Sequence, residues 1–259
     1  MRIIVVSPHR DDAAFSLGLS IDHWLHTGHR VHVLNCVTQS AFAPYSDAEG
    51  LHPNDRVSFV SALRKREDAA WNKVLGGRVQ FTDLDMLDAP VRLACTVEEA
   101  FTAPIRPGDR ALARIAGAIA KLVRNHRTEE MAFALPLAIG DHIDHRVAQR
   151  AALDTLQTGN VPVAFYEDLP YAAMQQFEGT LESHARETEL HLEPVFAEPE
   201  PSDVDGRVMR KLRLVECYDS QIDSSAAKQI AEFCRRYSGR ERIWANPVWR
   251  MSLATERSA

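Results

Sequence analysis

The chain has 259 residues, of which 45% are hydrophobic and 25% charged, with a formal net charge of −6. That is long enough for a full core and ordinary for a globular protein, while the acidic balance supplies no basic field for nucleic acid. No apolar run approaches the ~20 residues that cross a bilayer. A strand begins within a few residues of Met1 and leaves no room for a signal peptide, so the expectation is a cytoplasmic protein with no membrane partner. Cys36, Cys95, Cys217 and Cys234 are far apart with no C-x-x-C pair, which fits reduced thiols rather than a disulfide framework.

In chain order, the apolar run Ile3-Ile4-Val5-Val6 ends in Ser7-Pro8, and His9, Asp11 and Asp12 follow within four positions. Apolar residues resume at Ala14, Phe15, Leu17 and Leu19. This reads as a buried strand, a tight turn and a helix that Gly28 stops. His29–Thr38 is a second strand, giving a β-α-β unit and parallel neighbours. Gln39–Pro53 is a polar loop overhanging the same rim, with Tyr45 and His52 as substrate-contact candidates. A long helix capped by Asn54 runs to Leu75, and on it Arg64 and Glu67 are spaced to pair. Arg78–Thr82 is a third strand, and Asp83, Asp85 and Asp88 fall in the loop after it. These acids lack the glycine turn of a calcium loop.

Asp109–Asn125 has helical periodicity, and Met131–Leu135 is a fourth strand. The turn Pro136–Asp141 leads into His142-Ile143-Asp144-His145 and a helix from Arg146 to Gln157. Val161–Tyr166 is a fifth strand, closed by Glu167-Asp168-Leu169-Pro170. Residues Ala172–Asp205, rich in Glu and Pro, are expected to form a hairpin or an irregular cap. Helices at Val208–Tyr218 and Ser224–Arg236 precede an aromatic tail, Ile243–Ser252. With no repeat and no linker, the pattern implies a single domain over 1–259. Its fold class is α/β, a doubly wound, mostly parallel sheet with helices on both faces.

If the first and fourth strands are neighbours, their connections leave in opposite directions and open a crevice at the switch point. His9-Arg10-Asp11-Asp12 and His142-Ile143-Asp144-His145 then face each other. Metal-assisted hydrolysis needs about three protein ligands and an open position. His9, Asp12 and either His142 or His145 offer them. Imidazole and carboxylate suit Zn²⁺, with Fe²⁺ or Co²⁺ also fitting. Asp11 is placed to act as the base beside a water, and the remaining histidine to meet the oxyanion, with Asp144 holding its tautomer. Each aspartate after a strand is equally placed to cap a helix.

These residues resemble the PIG-L/LmbE family of zinc-dependent N-acetylglucosaminyl deacetylases, whose signature is an (A/P)-H-P-D-D-E turn and a later H-x-D-H turn. The chain has Pro8-His9-Arg10-Asp11-Asp12-Ala13 and His142-Ile143-Asp144-His145. Arg64-x-x-Glu67, Tyr166-Glu167-Asp168-Leu169-Pro170 and Lys211 through Tyr218-Asp219-Ser220-Gln221 are weaker echoes, in family order. The resemblance implies a Rossmann-like, LmbE-like fold and a metal held by His9, Asp12 and His145. It further implies Asp11 as general base, His142 as oxyanion stabiliser and Asp144 as its tuning group. The substrate it implies is a small amino-sugar conjugate that loses an N-acyl group; some members act on aminoglycoside precursors or glycopeptides. Two positions depart from the signature, Arg10 for Pro and Ala13 for Glu. Arg10 is expected either to contact an anionic substrate or to pair with an acid, and Arg64 is a more distant substrate-contact candidate. Rival readings are a zinc amidase acting on a thiol conjugate or a carbamoyl group, and a sugar- or nucleotide-binding protein without activity. The absence of G-x-G-x-x-G after the first strand speaks against the last.

Overall fold

The computed structural model describes residues 1–106, 108–126, 130–156, 160–174 and 180–254. In chain order the elements are β1 (Arg2–Ser7), α1 (Asp12–His26), β2 (Arg30–Gln39), α2 (Pro53–Val74), β3 (Gln80–Leu87), α3 (Ala89–Leu93) and α4 (Arg110–Asn125). There follow β4 (Met131–Pro136), α5 (Ile143–Leu156), β5 (Val163–Tyr166), α6 (Leu181–Glu187), β6 (Glu193–Phe196), α7 (Val204–Val215), α8 (Ser224–Phe233), β7 (Arg242–Ala245) and α9 (Pro247–Ala254). The strands form one sheet in the order β3-β2-β1-β4-β5-β7-β6. The five from β3 to β5 are parallel, and β7 pairs antiparallel with both β5 and β6.

β1 sits at the centre and is buried at every position, which is why its sequence is a continuous apolar run rather than an alternating one. The supposed adjacency of the first and fourth strands is present: Val5 lies opposite Ala134. α1 is buried along nearly its whole length because α7 covers the side turned from the sheet. Gly18 permits that approach, since a Cβ there would stand 3.2 Å from Leu214 Cδ1. No helix among the described residues is long and apolar enough to cross a membrane.

Two expectations change. The third strand does not stop at Thr82: β3 continues to Leu87, with Asn35 opposite Asp83 and irregular register beyond. Pairing with β2 carries the chain through acids that sequence alone reads as loop, and Asp88 caps α3 by accepting from the Val91 N–H at 3.3 Å. Of the hairpin or irregular cap expected over residues 172–205, the described residues show no local hairpin: β6 pairs with β7, far along the chain. The aromatic tail is ordered, as expected, and forms β7 and α9, with Trp249 against Trp24 at 6.0 Å. The Asn54 side chain and Gln157, expected as a cap and a helix end, lie outside the described residues.

Lys211 of α7 is wholly buried. Its ammonium donates to the carbonyls of Phe15 at 2.5 Å and Ala14 at 3.3 Å, and to the Glu241 carboxylate. Glu241 also accepts from the N–H groups of Leu19 and Ser20 at 3.1 and 2.8 Å. Removing one partner strands a buried charge, at a cost of about 3–5 kcal/mol. Lys211→Ala is therefore expected to lower the unfolding free energy read from urea titration by that amount, and Lys211→Met with Glu241→Gln to recover most of it. An unchanged midpoint in Lys211→Ala would remove the pair from the stability account.

Candidate active site

The turn after β1 is braced by Ser7, whose hydroxyl donates to the His9 carbonyl at 2.6 Å and accepts from the Ala13 N–H at 3.1 Å. Asp11 occupies the N-cap position of α1, but its side chain makes no capping bond. It accepts instead from Arg64 at 2.6 Å. Asp12 opens α1, and its Oδ2 takes the His9 N–H at 2.7 Å. Neither carboxylate is spent as a helix cap.

The turn after β4 needs unusual backbone. Ala138 and Asp141 have φ of 62° and 60°, and Gly140 has φ of 88°. A Cβ at Gly140 would lie 2.8 Å from the Tyr171 ring, so only glycine lets Tyr171 close over this turn. His142 and His145 then meet His9. Their ring centroids lie 5.0 and 5.2 Å from that of His9, and one ring nitrogen from each of the three falls within 4.8 Å of the others.

The partners of these rings differ. His145 Nδ1 is bonded to Asp168 at 2.6 Å, while its Nε2, fully buried, has no hydrogen-bond partner and lies 3.4 Å from Asp12 Oδ2. His9 is the mirror case: Nε2 is bonded to Asp144 at 3.2 Å, and Nδ1 lies 3.4 Å from the same Asp12 oxygen. A carboxylate on the far nitrogen orients each imidazole with its near nitrogen toward Asp12, the arrangement of metal-ligating histidines once that nitrogen gives up its proton. Two imidazole nitrogens and one carboxylate oxygen converge on a common point, and the buried His145 Nε2 has no other partner; such a donor set fits a divalent metal.

Charge follows from this crowding. Burial opposes protonation of His9, but its hydrogen bonds to Asp12 and Asp144 prevail and raise it to about 10. His145 is likewise raised against burial by the charges of Asp12 and Asp168. His142 has no such carboxylate bond. Burial, then His9 and His145, push it down to about 3. Its Nδ1 accepts from the Asp144 backbone N–H at 3.3 Å, so the neutral ring carries its proton on Nε2. The Asp144 carboxylate is occupied elsewhere, accepting from His9, from the Ala89 N–H at 3.0 Å and from Arg92. Burial would raise it, yet the His9 bond and the charges of His9, His142 and Arg92 hold it well below the usual carboxylate range. Asp144 thus meets His142 through its backbone and His9 through its side chain.

These groups line a cavity of about 170 Å³ that includes His9, Asp11, Asp12, Arg64 and His142, walled by Phe42, Phe101, Pro170 and Tyr171. Arg10, an expected substrate contact, does not line it. Buried to 4% exposure, it chelates Asp83 at 2.7 and 3.1 Å and pairs with Asp68, because burial of a guanidinium demands carboxylates and α2 and β3 supply them. Nor is Arg64–Glu67 a surface pair. Both are buried; Arg64 holds Asp11, and Glu67 accepts the Ser220 N–H at 2.9 Å. Tyr45 stays exposed, its hydroxyl 3.4 Å from Asp223, while its neighbours Ser40 and Phe42 reach the cavity.

The model of the family described as PIG-L, GlcNAc-PI de-N-acetylase, matches residues 4–156. That span holds both histidine turns. The chain belongs to the PIG-L family. A 2'-N-acetylparomamine deacetylase of Streptomyces fradiae is 30% identical over 243 residues, covering 94% of this chain and 81% of that protein. The zinc-inhibited form of the teicoplanin deacetylase Orf2 has a TM-score of 0.68 at 25% identity, over 95% of this chain and 97% of that one. An N,N'-diacetylchitobiose deacetylase from Pyrococcus horikoshii, 15% identical with a TM-score of 0.56 over 95% of this chain and 84% of that one, shares the fold. This PIG-L chain is accordingly a deacetylase-type hydrolase, and its histidine cluster is built for a metal.

Asp168 and Arg92 are the site residues that sequence reasoning underweighted. Asp168 had a signal, since it follows β5 on the same rim. Arg92 had none: it sits on the short α3 and reaches Asp144 only through the fold.

Two outcomes follow. A metal ligand must be unprotonated, yet metal-free His9 keeps its proton up to pH about 10. Metal binding near neutral pH should therefore expel about one to two protons, and affinity should rise with pH until His9 is bare. Calorimetry in buffers of different ionisation enthalpy measures this; no proton release would contradict it. Asp168→Ala should weaken metal binding by about 10–100-fold through loss of His145 orientation, read by competition with a chromophoric chelator.

Proposed function

We propose that the chain hydrolyses the N-acetyl amide of an amino-sugar conjugate, with zinc held by His9, Asp12 and His145. One observation carries the reading: two carboxylate-anchored imidazoles each place a ring nitrogen 3.4 Å from one Asp12 oxygen, at the wall of a cavity that Asp11 also lines. The bound metal supplies Lewis acidity toward water and the acyl oxygen. Asp11, oriented by Arg64, accepts a proton from the attacking water. The hydroxyl adds to the acyl carbon, and His142 donates its Nε2–H to the oxygen that gains charge. Asp11 returns the proton to the amine as the C–N bond breaks, leaving acetate and a free amine. Phe101 and Tyr171, packed edge to face at 5.6 Å, exclude water and offer apolar faces to a sugar ring. The acetylparomamine and teicoplanin deacetylases among the relatives favour an amino sugar borne on a larger natural product.

Chelation should abolish amine release and added zinc restore it. Asp11→Asn should keep the metal and lose about 10²–10⁴-fold in turnover; undiminished turnover would remove Asp11 as base. His142→Ala should lower kcat by about 10²–10³-fold with little change in KM. A screen for amine release across N-acetylated sugars, thiol conjugates and carbamoyl compounds decides between sugar deacetylation and other amide cleavage.

A further inference from the structure

A second cavity, of about 550 Å³, opens on the far side of α3 and shares no lining residue with the catalytic one. Met86, Leu87 and Leu93 give it apolar surface, and Arg92, Arg106, Arg110 and Arg114 line it against two acids, Asp85 and Asp109. One acid is already spent. Asp109 accepts from Arg92 at 2.6 Å and caps α4 through the Ala111 N–H at 2.9 Å. Arg92 is spent as well, its other nitrogen lying on Asp144.

Three guanidiniums are left over. Among the described residues, Arg106, Arg110 and Arg114 make no ion pair and no side-chain hydrogen bond. Arg110 and Arg114 stand one turn apart on α4, so their like charges repel on the same face. In a chain of net charge −6, an excess of positive charge gathered at one apolar cavity is not a composition effect. Asp85 enters from the β3 side, apart from the α4 arginines, and excludes a ligand that is anionic throughout.

We propose that this cavity is a binding site for a small phosphate monoester with an apolar body. The dianionic head lies against Arg106, Arg110 and Arg114, whose forked donors match phosphate oxygens. The body covers Met86, Leu87 and Leu93. The proposed phosphate contacts stand independently of the deacetylase reading: the two cavities share no lining residue, and Arg92, which holds Asp144, makes none of those contacts.

Phenyl phosphate titrated into the metal-loaded protein and followed by calorimetry tests it, with phenylacetate and phenol as comparison probes. Expected is saturable binding of phenyl phosphate that weakens with salt, weaker binding of phenylacetate and none of phenol. The double variant Arg110→Ala/Arg114→Ala should lose about tenfold or more in affinity, and Arg106→Gln should lose part of that. These residues are exposed, so a thermal melt matching the parent protein confirms that the variants fold. His145→Ala should leave binding intact. Absence of saturable binding, equal binding of phenol, or full affinity in the arginine double variant would overturn the proposal. So would loss of binding in His145→Ala, which would place the ligand at the metal site.

Discussion

Side-by-side packing of β1 and β4 is the constraint on which the site depends. β1 passes its chain toward β2 and β4 passes its chain toward β5, on opposite sides, so the two turns open onto one crevice. His9 and Asp12 arrive from the first turn, His142 and His145 from the second, and Asp168 from the end of β5. None of these groups could hold a metal alone. The central strand pair brings them together, and its buried, continuous apolar character makes that pairing energetically firm.

The crevice gathers many carboxylates into a buried place, and the fold tolerates them by giving each a cation or a set of donors. Arg64 answers Asp11 and Arg92 answers Asp144. His145 answers Asp168, and Arg10 answers Asp68 and Asp83. The same arrangement divides labour between the histidines. Two are anchored by carboxylates, which orient them and raise their basicity for a cation. The third, His142, is bonded at Nδ1 only by a backbone N–H, and burial with the neighbouring histidines pushes it down; in the proposed mechanism it is the hydrogen-bond donor.

The two departures from the family signature have different structural meanings. Arg10 turns away from the crevice and ties the first turn to α2 and β3, with Asn35 and Tyr218 completing the bonds of Asp68. Its contribution is to brace the backbone beside Asp11, not to touch a ligand in the cavity. Ala13 is fully buried, and its N–H bonds to Ser7. A glutamate there would bury a further carboxylate next in sequence to Asp11 and Asp12, and alanine avoids that charge.

Much of the site was legible from residues 9–12 and 142–145 because ligand chemistry is local: imidazole and carboxylate at a β-to-α junction announce themselves by type and position. The parallel core was legible for a related reason, since a strand buried on both faces must be apolar throughout. Sequence could not separate the roles of His142 and His145, nor see that Asp144 serves His9. Those roles depend on which far nitrogen finds a carboxylate, and the carboxylates come from other elements. Asp83 and Asp85 read as loop because their partners on β2 and at Arg10 are distant in sequence. Length, alternation and residue type determined the sheet, its helices and the cluster of potential ligands. The tertiary structure alone decided which ring nitrogens find a carboxylate, because hydrogen bonding between distant side chains is set by packing and not by spacing along the chain.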